Sequence, residues 1–340
     1  MKFYAYNDKL FSPNEFGSFT VVARKLNQFF HKAGVLGNIL DHNTWVIYPE
    51  VFDTEQRWKK QIPYLACEYN LAPQIVIHKL KQYHPPVLSI SDFAKNNLNN
   101  SGYSRVETVH LGTDPSLWYK TQESKFSTFT FLTVNSSNER SGYEKLIPSF
   151  IEFSYNKDVN LIIKDGKNKA FKEYIHSLNC SKIIYVDDML SEEELRKLYN
   201  KSHVFVYTNN TTSFGMNPLD AVLCGTPAIT TYGSALKEFI PEWTQPIKIR
   251  TELTKITPEL ILEWNKFGIS CFPVSFLSIF GGDVYSEIVN EKDILLSLKY
   301  SFENYNDLLD KTNLHKQYIL DNFTWDKCIQ KIIEKVKQYD

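Results

Sequence analysis

The sequence predicts an α/β protein of two doubly wound domains. Its 340 residues exceed one ordinary domain. Short runs rich in β-branched and aromatic residues recur along it, separated by stretches whose apolar residues repeat at helical spacing. The clearest single unit spans residues 203–231. There an apolar run, His-Val-Phe-Val-Tyr, is followed by a polar turn, a short helical stretch closed by Gly225, and a second apolar run from Pro227. A strand, a turn opening a helix, and another strand make one βαβ unit, the building block of a parallel sheet.

Composition bounds the function classes. The hydrophobic fraction of 43% and charged fraction of 23% are those of a globular protein, not a disordered one. Residues 1–8 carry charges where a signal peptide needs an apolar core, and no window approaches eighteen uncharged apolar residues. A cytoplasmic protein without a membrane span is expected, in a bacterium or in a host cell if phage-encoded. Cys67, Cys180, Cys224, Cys271 and Cys328 are scattered and never form a Cys-x-x-Cys pair, so they read as reduced cysteines rather than a zinc site. The formal net charge of −1 argues against a general polyanion binder. Residues 1–120 nevertheless hold 13 Lys and Arg against 10 Asp and Glu, a mild basic bias.

In order, residues 2–6 read as the first strand and 7–17 as a turn. Phe19, Val22, Leu26, Phe29, Phe30 and Ala33 then mark a helix stopped at Gly34. Residues 44–48 and 62–67 are candidate strands. The second runs into Glu68, and a carboxylate just past a strand end sits where open α/β sheets bind ligands. Residues 86–98 give a strand and then a helix begun near Ser91; residues 106–114 (Val-Glu-Thr-Val-His-Leu-Gly-Thr-Asp) follow. Residues 121–127 are polar and aperiodic, so the interdomain linker is expected there.

The second domain opens with a strand at 128–134. A polar turn at 135–142 contains Arg140, and the next helix has Leu146, Phe150 and Ile151 on its inner face. Residues 159–164 form a strand ending in Lys164, and residues 182–186 another, ending at Val186 before Asp187. Ser191 and Glu194 have capping-box spacing ahead of Leu195, Leu198 and Tyr199. After the strand at 203–207, Pro218 suits the first helical position and Gly225 the C′ position. The helix N-terminus offers N–H groups to an anion, and Asp220 in its first turn is placed to accept from a sugar hydroxyl. Residues 250–290 fit no pattern. Helices follow from Glu291, with Phe323-Thr-Trp-Asp before the last of them.

The run Thr212-Ser213-Phe214-Gly215-Met216-Asn217-Pro218-Leu219-Asp220, then Ala-Val-Leu-Cys-Gly-Thr-Pro, resembles the donor signature of the retaining glycosyltransferases of family GT4. That signature reads Glu-Gly-Phe-Gly-x-x-x-x-Glu, then Ala-x-x-x-Gly-x-Pro. Here Thr212 replaces the first acid, Ser213 the first glycine, and Asp220 stands for the second acid. Other segments fall in family order. Gly17 and Ser18 take the place of the glycine-bearing loop, and Glu68 follows its strand. Gly112 and Asp114 match a Gly-Val-Asp element in which Thr113 replaces valine. Residues 233–239 resemble a Gly-Gly-x-x-Glu segment, and Phe323-Thr-Trp325 the element before the last helix.

The resemblance implies the GT-B fold: two Rossmann-like domains facing a cleft, with a C-terminal helix crossing back to the first. The boundaries it suggests are 1–120 for an acceptor-binding domain and 121–127 for a linker. A nucleotide-sugar-binding domain would span 128–320, and the returning helix 321–340. It implies a metal-independent enzyme without cofactor, consistent with the lack of an Asp-x-Asp motif. The substrate would be a nucleotide diphosphate sugar, UDP-linked by preference. Glu68, Arg140 and Lys164 would be catalytic, the two cations gripping the diphosphate. Gly17, Ser18, Val186, Asp187 and residues 212–220 would hold the donor. A changed donor, such as a pentose, would account for Thr212. The acceptor is open between a cell-surface or lipid-linked glycan, with peripheral membrane contact, and hydroxymethylated cytosine in phage DNA. A sugar-nucleotide hydrolase or epimerase and a non-catalytic nucleotide-sugar-binding protein are the alternatives of other classes.

Overall fold

The computed structural model describes residues 1–6, 18–49 and 60–339. The chain divides into two compact units. The first comprises Met1–Gly112, Ile279–Gly282 and Asn322–Asp340, and the second Thr113–Ser278 and Asp283–Asp321.

The first unit opens with β1 (Lys2–Ala5), α1 (Ser18–Lys32), β2 (Thr44–Pro49) and β3 (Gln61–Leu65). It continues through α2 (Gln74–Tyr83), β4 (Val87–Ser89), α3 (Asp92–Asn100) and β5 (Val106–Thr108). The five strands pair in parallel in the order β1-β2-β3-β4-β5. Leu36 makes an isolated parallel bridge to Phe3, so the chain leaving α1 runs along the other side of β1. The strand order therefore reverses at β1. Val22, Ala23, Leu26, Phe29 and Phe30 bury one face of α1, with Phe30 stacked on Phe3 at 5.2 Å. Asn27 closes the end of β1 by accepting from the Ala5 N–H at 2.7 Å and donating to its carbonyl at 2.8 Å.

The second unit runs β6 (Phe129–Val134), α4 (Tyr143–Ser154), β7 (Val159–Lys164), α5 (Lys169–Ser177), β8 (Ile183–Val186) and α6 (Glu192–Lys201). Then come β9 (Val204–Tyr207), α7 (Met216–Leu223), β10 (Ala228–Thr230) and α8 (Leu236–Phe239). The last part holds β11 (Thr251–Lys255), α9 (Pro258–Lys266), β12 (Tyr285–Val289), α10 (Glu291–Glu303) and α11 (Tyr305–Asn322). A five-stranded parallel sheet has the order β10-β9-β6-β7-β8. Its inner strands β6 and β9 are buried on both faces, which is why they read as nearly continuous apolar runs. β11 and β12 form a separate antiparallel hairpin, and this is what the patternless stretch 250–290 contains. The C-terminal α12 (Trp325–Val336) belongs to the first unit, its Trp325 ring 6.3 Å from Phe29. Trp325, Cys328, Ile329, Ile332 and Val336 supply its buried stripe.

Three local expectations change. Ile151, read as inward, is 38% exposed, and Ile147 and Phe153 share the inner face with Leu146 and Phe150. The helix α7 starts at Met216, so Pro218 is its third residue. Its missing N–H still has no intrahelical acceptor to lose there. The polar stretch 121–127 is tied to the second unit. Thr121 N–H donates to Asn200 Oδ1 at 2.7 Å, Lys125 Nζ to the Ser202 carbonyl at 2.6 Å, and Phe126 N–H to the Lys201 carbonyl at 2.9 Å. The contact boundary lies earlier, between Gly112 and Thr113.

The capping box at Ser191 and Glu194 is present in both directions. Ser191→Ala is expected to lower stability by about 1 kcal/mol in denaturant unfolding. Two histidines give the unit a pH dependence. Burial pushes His315 and His203 down to about 4, and Lys125 adds to the shift at His203, whose Nδ1 accepts from the Thr130 N–H. Above the ordinary histidine value of 6.5 neither state holds the proton, so these groups cost nothing. As pH falls below 6.5 the unfolded chain protonates first, and stability is lost until about 4, where the folded state also protonates. Unfolding free energies measured between these pH values should show a shallower slope in His203→Gln and in His315→Gln than in the wild type.

Candidate functional site

In the second unit the chain steps from β6 to β7 to β8, then returns to pair β9 against the opposite side of β6. The loops leaving β6 and β9 therefore flank the reversal of strand order, the place at the carboxyl edge of the sheet where such folds bind ligands. The register puts Val134, Lys164 and Val186 in one row at that edge. Tyr207 and Thr230 pair at the same edge. The loop carrying Arg140 and the loop carrying Thr212 to Gly215 flank the reversal, and the second opens into the N-terminus of α7.

Hydrogen bonds tie these two loops to each other. Asn210 is fully buried; its N–H donates to the Arg140 carbonyl at 2.8 Å. Its Nδ2 donates to the Glu139 carbonyl at 3.1 Å and to Glu144 Oε1 at 2.9 Å, and its Oδ1 accepts from the Val289 N–H at 3.1 Å. Asn135 donates to Asn209 Oδ1 at 2.6 Å, and Asn217 Nδ2 to the Val134 carbonyl at 2.8 Å. Gly142, at φ 68°, lies against the Thr208 carbonyl, which a Cβ there would overlap. Asp165, buried just after Lys164, fixes the first loop to the neighbouring strand. It accepts from the Ser137 N–H, the Ser137 hydroxyl and the Tyr185 hydroxyl, each at 2.7 Å.

Lys164 ends β7 half-buried, its amine donating to the Asp165 carbonyl at 2.5 Å. Burial lowers its pKa, while Asp165, Asp187 and Asp188 pull the other way. A partly desolvated cation of this kind gains most from an incoming anion. The Arg140 Nε lies 3.7 Å from Glu139 Oε1. Asp187 pairs with Lys172 at 2.9 Å, a bond that holds its carboxyl below the usual range. The Val186 carbonyl accepts from the Asp165 N–H, so that group serves the strand edge.

Phe214 is buried against Phe239 at 4.5 Å. Gly215, at φ 157° and ψ 79°, turns the chain into α7 without a capping side chain, close against Leu236. Met216 and Asn217 are half-buried; Ser213, Pro218 and Leu219 are buried. Thr212 is buried too, and its hydroxyl donates to the Phe214 carbonyl at 2.8 Å, bracing the loop. The Thr212 N–H donates to Ser234 Oγ at 3.2 Å. Ser234 holds the left-handed φ of 43° that glycine takes without strain, and its N–H is bound by Glu287 at 2.6 Å. Asp220 is the fifth residue of α7, past the first turn where the sequence placed it, and its buried carboxylate accepts the Thr113 hydroxyl.

In the first unit Gly17 lies outside the described residues, and Ser18 begins α1 beside the reversal at β1. Glu68 is half-buried in the loop after β3, between Cys67, whose carbonyl accepts from Asn97 at 3.0 Å, and Tyr69. Tyr69 meets Phe280 edge-on at 5.9 Å, and Gly281 lies against Gln74, so Ile279–Gly282 pack onto the Glu68 loop. His110 packs edge-on to Phe323 at 5.5 Å. Asp114 Oδ1 accepts from the Ser116 N–H at 3.1 Å and hydroxyl at 2.6 Å. Sequence reasoning missed Asp165, Asn210, Thr113 and Phe280. An acid directly after Lys164 and the paired Asn209-Asn210 after a strand were the available signals.

The fold and the reversed-order sheet edge define a protein of two Rossmann-like α/β units. Residues 120–247 match the family described as glycosyl transferases group 1, and the chain has the GT-B fold of solved glycosyltransferase structures. No curated protein matches the chain by sequence. Among solved structures it is similar to sucrose-phosphate synthase from Thermosynechococcus elongatus (TM-score 0.70, 12% identity, covering 100% of this chain and 99% of that one). It is also similar to Anabaena HepE in complex with UDP and glucose (0.62, 11%, 96% and 84%). A third is α,α-trehalose 6-phosphate synthase from Burkholderia multivorans (0.60, 8%, 96% and 76%). At these identities the structural likeness speaks for the fold. No helix of the described residues is long and apolar enough to cross a membrane.

Asp165→Ala should free the Ser137 loop and leave the Tyr185 hydroxyl only its long bond to the Asn168 carbonyl, at 3.4 Å. A loss of about 2–4 kcal/mol in unfolding free energy is expected.

Proposed function

We propose that the protein transfers a sugar, with retention of anomeric configuration, from a nucleotide diphosphate sugar to an acceptor hydroxyl on a cell-surface or lipid-linked glycan. The observation that carries this reading is the sheet edge of the second unit. Two hydrogen-bonded loops flank its strand-order reversal there, the N-terminus of α7 opens from one of them, and Arg140 and Lys164 stand on the same edge. Such an arrangement suits a diphosphate, whose negative charge meets helix N–H groups and preorganised cations.

Charge builds on the leaving diphosphate as the glycosidic bond breaks. Cations held in place by the fold therefore lower the barrier more than they tighten ground-state binding. The leaving phosphate takes the acceptor proton, so no strong protein base is needed. Glu68 orients the acceptor. The backbone about Val186 and Asp187 takes the base, and Asp220 takes a ribose hydroxyl. UDP is the favoured nucleotide, in line with the similarity to HepE, which is solved with UDP and glucose. Thr212 in place of a carboxylate favours a donor sugar with altered hydroxyls, a pentose among them. Its hydroxyl is already engaged with Phe214, which leaves it a weaker sugar contact than an acid.

Nucleotide release from a panel of UDP-, GDP- and ADP-sugars, pentoses included, tests the reading. Parallel arms add a glycan lipid or hydroxymethylcytosine DNA. Release stimulated by the glycan acceptor and undiminished by EDTA is expected; stimulation by the DNA alone would move the acceptor to nucleic acid. Lys164→Ala and Arg140→Ala should each lower turnover about 10²–10³-fold, with smaller changes in donor KM. Silence across the panel, with no nucleotide bound, would refute the enzyme reading of this site.

A further inference from the structure

The loop from Thr212 to Gly215 is carried by a neighbouring segment, Gly233 to Phe239. Both backbone groups of Thr212 are bound there. Its N–H donates to Ser234 Oγ at 3.2 Å, and its carbonyl accepts from the Ala235 N–H at 3.2 Å. Phe214 packs on Phe239 at 4.5 Å, and Gly215 lies against Leu236. Whatever fixes residues 233–239 therefore fixes the loop that opens into α7.

That segment turns through Ser234, which is fully buried at a φ of 43°. A residue with a Cβ stays in the left-handed region only where its surroundings hold it there. The holding group is Glu287 on β12, 53 residues further along the chain. Its Oε2 accepts from the Ser234 N–H at 2.6 Å and from the Thr251 hydroxyl at 3.1 Å. Thr251 opens β11, the strand paired with β12, so the carboxylate is oriented from within its own hairpin. A short bond from a backbone N–H to a carboxylate is charge-assisted and stronger than a neutral one. Gly233 makes the approach possible, since it lies against both Glu287 and Thr251 with no room for a Cβ. The hairpin stands apart from the parallel sheet, and through Glu287 it reaches the loop at the strand-order reversal.

We propose that Glu287 is a positioning residue for the loop 212–215. By holding Ser234 in its left-handed turn it places the backbone of Thr212, and so sets how sharply the loop discriminates among donor sugars. This rests on the donor-site reading of the second unit. Telling apart sugars that differ by one hydroxyl needs polar groups fixed in place, because a loop free to shift finds a bond to either. Glu287 touches no substrate in this role; it acts through Ser234 and Thr212. A general loss of stability would weaken all donors alike, whereas a displaced loop weakens the preferred sugar most.

The test is calorimetric titration of the full chain with the UDP-, GDP- and ADP-sugars of the panel. It is read as the ratio of Kd values for the preferred sugar and another sugar on the same nucleotide. Wild type should show a preference of about tenfold or more. Glu287→Ala should bring that ratio close to one, mainly by weakening the preferred sugar. Glu287→Gln, which keeps an oxygen acceptor at the same reach, should keep most of it. Adding Ser234→Ala to Glu287→Ala should cost the ratio nothing further, since both act on one link. Where Glu287→Ala does not fold, Glu287→Asp against Glu287→Gln gives the same readout, the ratio lost in the shorter acid and surviving in the amide. A wild-type ratio near one, a ratio unchanged by loss of the Glu287 side chain, or equal weakening of both sugars would overturn the role of Glu287 while leaving the donor site standing. A wild-type chain that binds none of the nucleotide sugars would overturn both.

Discussion

Asn210 is the constraint on which the second unit depends. Its side chain has two N–H donors and one carbonyl, and the fold uses all three while its backbone N–H takes a fourth partner. Those bonds join the loop after β6, the first turn of α4, the loop after β9 and the last residue of β12. The two loops have no regular ladder to hold them, and a sheet whose strand order reverses leaves them without a common neighbour. One fully satisfied amide at the crossing supplies it. Because Asn210 is completely buried, loss of any partner would leave a desolvated polar group, which is why such a node rigidifies rather than merely decorates a loop pair.

The same edge separates structural from available charge. Asp165 and Asp187 lie close to Lys164, yet both are engaged elsewhere, Asp165 by Ser137 and Tyr185 and Asp187 by Lys172. The carboxylates therefore hold loops and strand ends in place, and Lys164 stays half-buried with its charge only partly compensated. That is the electrostatic condition under which an incoming anion gains most.

Four of the residues that depart from the glycosyltransferase pattern are hydrogen-bonded two by two. Thr212 is bound to Ser234, a serine in a glycine-like conformation held by Glu287, and Thr113 is bound to the shortened acid Asp220. The Thr212 hydroxyl itself is satisfied by the Phe214 carbonyl at 2.8 Å.

Most of the fold was legible in the sequence because it follows from short-range rules. β-branched runs buried on both faces, apolar residues at helical spacing, the Ser191 capping box and the Gly225 stop each act within a few residues. The glycosyltransferase class was legible from the spacing of residues 212–227. Three things were not. The hairpin of β11 and β12 joins strands about thirty residues apart, and its alternating exposed residues carry no core signature. The polar stretch 121–127 looked unattached because composition does not show that its N–H groups and Lys125 have acceptors on α6 and just beyond it. Ile151 looked inward because spacing gives a stripe without giving its width. At the site, the sequence by itself determined which residue types stand at the ends of the strands. Only the tertiary structure decided which of them face one another: Asn210 with Arg140 and Glu144, Asp165 with Ser137, Thr113 with Asp220. Hydrogen bonds between residues tens of positions apart depend on the register and twist of the whole sheet, and no local pattern encodes that.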